Sequence, residues 1–177
     1  VIDFDGFAGY TGPFPVPVGL GVSATASPGT LGANAATLGA NGDWGAGKLF
    51  AAVGDESVFV GSLSFAFNPA ALPNKAGAFI NAYTESGPAS ITIEAFDIGG
   101  GLIDSQQVSV TTPGGFNAGA FYGIESASFN IATLRFTGDS VVLDDLAFAP
   151  IPEPSTYALM AAGLLALGAI ARRRRPA

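Results

Sequence analysis

Apolar stretches of four to ten residues, broken by Gly, Pro, Asn and Asp, recur along residues 1–150, and none keeps a 3.6-residue period for ten residues. The pattern predicts strands over 1–5, 18–26, 49–53, 57–67, 78–84, 89–98, 102–111, 119–123, 127–137 and 140–148. Alternation is clearest in Ile91-Thr92-Ile93-Glu94-Ala95. Gly99-Gly100-Gly101 then joins it to Leu102-Ile103-Asp104-Ser105-Gln106-Gln107-Val108-Ser109-Val110, a hairpin signal. Many short strands at this spacing predict an all-β chain built as a β-sandwich or jelly roll. Residues 28–48 are rich in Gly and Ala and predict no element.

The last 27 residues follow a different rule. From Ser155 to Ala171 seventeen residues carry no charge, and from Tyr157 they run through Leu159, Leu164, Leu165, Leu167 and Ile170 with no polar face. Ala and Leu favour helix, and at about 1.5 Å per residue the run is at the short end of what crosses a hydrocarbon core of about 30 Å. A core helix is the bland alternative, but Arg172, Arg173, Arg174 and Arg175 follow at once, as in a cytoplasmic stop after an inserted helix. Two parts are therefore expected: a β domain over 1–150, facing away from the cytoplasm, and a tail over 151–177.

Composition narrows the chemistry. The chain of 177 residues has no Cys and no His, so Ser-His-Asp and Cys-His nucleophile systems, Cys/His zinc sites and disulfides are all excluded. Residues 1–150 hold thirteen of the fourteen acids against Lys48, Lys75 and Arg135, a net charge of −10, while the tail is +3. An acidic body repels phosphate backbones, so no nucleic-acid partner is expected.

The order Pro152-Glu153-Pro154, apolar run, arginine cluster resembles the C-terminal sorting signal called PEP-CTERM. That resemblance implies an exported protein of a Gram-negative bacterium, held in the inner membrane and then cut near the tripeptide by an exosortase, a membrane protease-transpeptidase. It further implies release to the cell surface or to an extracellular polysaccharide matrix. The prolines suit such a role, because each fixes its own φ and extends the residue before it, so a helix cannot grow back past Pro154. Val1-Ile2-Asp3-Phe4-Asp5 starts like a strand, and an exported chain implies a signal peptide that once preceded it. The 91–110 hairpin together with a closing strand, Val141 to Phe148, is similar to the jelly-roll domains common in PEP-CTERM proteins, which share their layout with carbohydrate-binding modules.

Within the body, Gly42-Asp43-Trp44-Gly45-Ala46-Gly47-Lys48 fits part of a phosphate-binding loop, but Leu49 stands where Ser or Thr must hold Mg²⁺, and a strand is predicted where a helix is needed. Thr30-Leu31-Gly32-Ala33-Asn34 recurs as residues 37–41, a duplicated turn rather than a repeat architecture. No Ser lies in a Gly-x-Ser-x-Gly elbow. Asp144 and Asp145 are adjacent on a strand and face opposite ways, so they make no acid/base pair. Glu94 and Asp104 read as solvated outer-face residues. No enzymatic activity is expected.

Asp144 shares strand parity with Val142, Leu146 and Phe148, an apolar series in which a bare carboxylate is costly. In the calcium-bearing jelly rolls that the chain resembles, the first and last strands hold the ion, which points to Ca²⁺ between Asp5 and Asp144, with Asp3 and Asp145 of lower rank. An aspartate bonded to backbone amides is the alternative. The expected function is a non-enzymatic protein of the cell envelope or polysaccharide matrix. A sugar-binding protein is the rival, with Trp44, Phe59, Phe65, Phe67, Phe79, Tyr83, Phe121 and Tyr122 as candidate stacking surfaces unless they fill core. Self-assembly into fibres through strand edges is the third.

Overall fold

A computed structural model describes residues 1–6, 15–27, 33–34, 49–52, 60–82, 88–111, 119–139, 141–150, 160 and 162–165. The strands are β1 (Val16–Gly19), β2 (Val22–Ser27), β3 (Ala33–Asn34), β4 (Leu49–Ala52), β5 (Val60–Ala66), β6 (Pro73–Ala82), β7 (Ala89–Phe96), β8 (Leu102–Val110), β9 (Ala120–Glu125), β10 (Thr133–Asp139) and β11 (Val141–Pro150). They form two antiparallel sheets, ordered β1-β2-β5-β10-β7-β8 and β3-β4-β11-β6-β9. The chain is thus all-β and jelly-roll-like, as the alternation predicted.

One face of each sheet supplies the core. Leu63, Phe65, Ile91, Ile93, Leu134 and Phe136 from the six-stranded sheet meet Ala76, Ala78, Ile80, Ile124, Leu143 and Leu146 from the other, all buried. Phe65 anchors an aromatic group, with ring centroids 6.0 Å from Phe4 and 6.2 Å from Phe136. Phe67 and Phe148 close one end at 5.1 Å.

The predicted 91–110 hairpin is β7–β8, closed by Asp97, whose Oδ1 accepts bonds from the backbone N–H of Gly99 and Gly101, each at 2.8 Å. It does not lie beside the closing strand, because β8 and β11 belong to opposite sheets. The stretch 18–26 is two strands, since Gly19, Leu20 and Gly21 all take positive φ and reverse the chain. Strand β6 starts five residues before the predicted 78, at Pro73, and β10 starts at Thr133 rather than 127. Of 1–5 only Ile2 pairs, bridging Leu146 through two bonds of 2.9 Å. Leu49–Ala52 is strand, which removes the helix a phosphate-binding loop would need. The duplicated turn lies outside the described residues apart from Ala33 and Asn34.

Candidate functional site

The outer faces of the two sheets are the surfaces on which a ligand or partner can settle. On the six-stranded sheet the registers align Thr25, Ser64, Arg135, Glu94 and Ser105 in one cross-strand row and Ser27, Ser62, Thr137, Thr92 and Gln107 in the next. Arg135 donates from Nε and Nη2 to Glu94 Oε2 at 3.0 and 2.9 Å, and its guanidinium sits 4.5 Å above the Phe96 ring. This surface is hydroxyl-rich, with one satisfied ion pair at its centre. Asp104 is exposed but does not share the face of Glu94. It stands opposite Ala95, whereas Glu94 stands opposite Ser105, so the expected outer-face placement is corrected by one residue of register.

The outer face of the five-stranded sheet is built differently. Gly77 of β6 and Gly123 of β9 are direct cross-strand partners. A Cβ at Gly77 would come 2.8 Å from Gly123 Cα and 2.8 Å from Phe121 Cζ, so neither strand can carry a side chain there. The result is a flat floor. Phe121, 50% exposed, stands beside it and packs edge-on against Phe79 at 5.3 Å and 71°. Lys75 and Glu125 close the end with a 2.7 Å ion pair, and Ala147 and Ala149 of β11 add small side chains. The open groove measures about 480 Å³. From the facing sheet Gln106 Nε2 donates to Gly123 O at 2.6 Å, fixing β9 in place behind the floor.

An apolar ring over a flat floor, with a cation and a carboxylate at one end, suits a ligand with one flat apolar face and hydroxyls at its rim. Phe79 and Phe121 were among the aromatic candidates for such a surface. Phe65 and Phe67 are core, and Tyr122 packs against it. Phe59, Tyr83 and Trp44 lie outside the described residues. Gly77 and Gly123 were not singled out from the sequence, although a glycine inside a strand pattern signals close backbone approach.

Asp144 is buried, as its apolar series required, but its strand parity misleads. Between Asp144 and Ala147 the β11–β6 register slips by one residue, with Asp145 at φ 50°. Leu143 and Leu146 therefore both face the core, while Val142 and Asp144 face the opposite side with Asn81. Asp144 Oδ1 accepts the Asp145 N–H at 2.8 Å. The segment before β1 does meet β11, through the single bridge of Ile2 to Leu146, and Asp5 and Asp144 lie on the same side of that bridge. Among the described residues no three acidic side chains gather to hold a metal ion. Asp5 and Asp144 would need backbone carbonyls to complete a Ca²⁺ shell.

In the tail, Met160 and residues 162–165 are helical, and Leu164 and Leu165 are exposed. Among the described residues no helix is long and apolar enough to cross a membrane. Pro152, Glu153, Pro154, Tyr157, Leu159, Leu167, Ile170 and Arg172 to Arg175 lie outside the described residues.

Residues 150–175 match the family of the PEP-CTERM protein-sorting motif. The tail therefore carries a signal for export and sorting to the cell envelope of a Gram-negative bacterium, the substrate motif of exosortase-type machinery. No curated protein matches the chain. Among solved structures it is similar to a DUF4465 family protein from Bacteroides caccae, at 11% identity over 72% of this chain and 82% of that one, with a TM-score of 0.46. It is also similar to TmCBM61, solved with beta-1,4-galactotriose, at 14% identity over 84% and 94%, TM-score 0.41. A family 29 carbohydrate-binding module, CBM29-2, shares 13% identity over 80% and 92%, TM-score 0.39.

Proposed function

We propose that the chain is a non-catalytic, exported β-sandwich protein, carried to the inner membrane by its tail, cut near Pro152-Glu153-Pro154, and released to the cell surface or the extracellular polysaccharide matrix. The sorting motif at residues 150–175, starting where β11 ends, carries this reading. A chain without Cys or His and with a single satisfied carboxylate at the centre of its polar face supports the absence of catalysis. The tail apolar run serves as the temporary anchor, with the four arginines left in the cytoplasm.

Replacing Pro152-Glu153-Pro154 by three alanines is expected to leave insertion intact and stop maturation. Fractionation of the native host with mass measurement of the C-terminus reads this directly. Arrival of the variant at the cell surface with its normal mature mass would refute processing at this motif.

A second reading is favoured by the glycine-floored groove: matrix polysaccharide binds there, with a sugar ring stacked on Phe121 and its hydroxyls bonded to Lys75 and Glu125. Titration of the protein with polysaccharide purified from the host, and with neutral oligosaccharides, tests it. Equal binding by wild type and by Phe121→Ala would move the sugar elsewhere or exclude it.

A further inference from the structure

Val60 is exposed at one end of the sandwich and Phe121 on its outer face, but the other end gathers several exposed apolar side chains. Leu20, Ile98, Leu102 and Phe129 are all exposed, and all lie at this other end. The registers place them there: Ser23, Ala66, Thr133, Phe96 and Leu102 form the last row of the six-stranded sheet. Beyond it come the Gly19-Leu20-Gly21 turn and the Asp97–Gly101 turn that carries Ile98. The connections 67–72 and 126–132 cross to the other sheet at this same end, tied by Phe67 N–H to Ala132 O at 2.9 Å and Ile131 N–H to Pro73 O at 3.1 Å. Pro73 pairs with Pro150, so β11 ends there and the sorting tail leaves there.

Two details argue against chance. Leu20 is 67% exposed and sits at φ 51° between two glycines, a conformation that Asn or Gly takes at little cost and Leu does not. Behind it lies a hollow of about 360 Å³ at the same end, lined mainly by apolar residues (Val1, Leu20, Val22, Phe67 and Phe148) with Asn68 as its polar member. Of the acids nearby, Asp97 accepts from the amides of Gly99 and Gly101, Asp104 from that of Ser105, and Glu125 pairs with Lys75, which lowers the cost of bringing them toward a low-dielectric surface.

We propose that this end of the sandwich rests on the bilayer surface while the tail is attached, with Leu20, Ile98, Leu102 and Phe129 entering the headgroup layer. The inference rests on the membrane-borne precursor proposed above. Five residue steps separate Pro150 from Ser155, where the uncharged run begins, and a fully extended chain spans less than about 18 Å over that length. Within that reach an end bearing apolar turns touches the interface, as amphipathic surface elements do.

Because the chain has no Cys, single substitutions accept a polarity-sensitive label without background. The full chain is reconstituted in vesicles of phosphatidylethanolamine and phosphatidylglycerol and shown by flotation to be bound. Labels at Leu20→Cys, Ile98→Cys and Phe129→Cys are expected to shift to the blue and be quenched by brominated lipid several-fold more than a label at Val60→Cys, which is 64% exposed at the opposite end. A label at Leu102→Cys should fall to the Val60 level when Leu20→Asn, Ile98→Ser and Phe129→Ser are combined, with flotation unchanged. Leu20→Asn suits the positive φ, so lost folding does not explain such a fall. Flotation with all labels equally exposed overturns the surface contact and leaves the anchor standing. No flotation overturns both. A blue shift that grows with protein concentration without vesicles assigns the end to a second copy of the chain and overturns the proposal.

Discussion

The two outer faces of the sandwich use the same strand geometry for opposite ends. On the six-stranded sheet every central outward position between Thr25 and Gln107 is a hydroxyl, an amide or the Arg135–Glu94 pair, so the open hollow of about 510 Å³ on this face has a polar lining whose charges are mutually satisfied. On the five-stranded sheet two facing glycines remove side chains where they would be expected, and Phe121 is left half exposed above the gap. A face that needs only solubility takes short polar side chains at little cost. Gly in a strand forfeits propensity and packing, and an exposed aromatic ring forfeits burial, so the second face gives up stability for shape. That asymmetry is why the groove, and not the polar face, is the candidate sugar surface.

The largest test adds a side chain to the floor. Gly77→Val drives a Cβ toward Tyr122 O, 2.5 Å away, and is expected to cost about 3 kcal/mol in denaturant unfolding, whereas Ser64→Val on the polar face should stay within about 0.5 kcal/mol. Equal stabilities would mean that the floor is not closely packed.

Calcium probes the same face deeper in. If Asp5 and Asp144 clamp the segment before β1 to β11, calcium at a hundredfold excess over its dissociation constant adds about 2.7 kcal/mol and raises the melting temperature by several degrees. Asp144→Asn should lose most of that shift and Asp104→Asn, exposed on β8, should keep it. Identical melting with calcium and with chelator would remove the calcium site and leave Asp144 as a hydrogen-bonded strand residue that accepts the Asp145 amide.

Phe121→Ala is expected to weaken polysaccharide binding about tenfold, close to 1.4 kcal/mol, with Arg135→Ala unchanged. The reverse ranking in a titration would exchange the roles of the two faces. The smallest effect belongs to the ion pair itself: side chains 39% and 21% exposed limit the Arg135–Glu94 coupling to about 0.5–1 kcal/mol in a double-mutant cycle. A coupling of several kcal/mol would show that this face is far less wet than its exposure indicates.

Much of the fold was legible in the sequence because its causes are local. Alternation in Ile91–Ala95, three glycines and a second alternating run define a hairpin within twenty residues, and β7–β8 formed where they predicted. The tail was legible for a similar reason: tripeptide, apolar run and arginines act in order along the chain, and no partner element is needed to read them. Leu20 shows the limit, since a short apolar run containing two glycines can be one strand or a hairpin, and only positive φ at all three turn residues separates the two.

What tertiary structure alone decided depends on register between distant strands. Asp144 was expected to face inward with Leu146, but one extra residue in β11 inserts between them, and a strand with period two sends everything after such a bulge to the other side. Gly77 and Gly123 are 46 positions apart and form a floor only because β6 and β9 pair in that register. Leu20, Ile98 and Phe129 belong to three separate turns, unrelated in sequence, that become one end of the molecule when the two sheets are folded face to face. Periodicity is a property of neighbours along the chain. Which surfaces those neighbours share is set by long-range pairing, and that is where this protein keeps its groove and its apolar end.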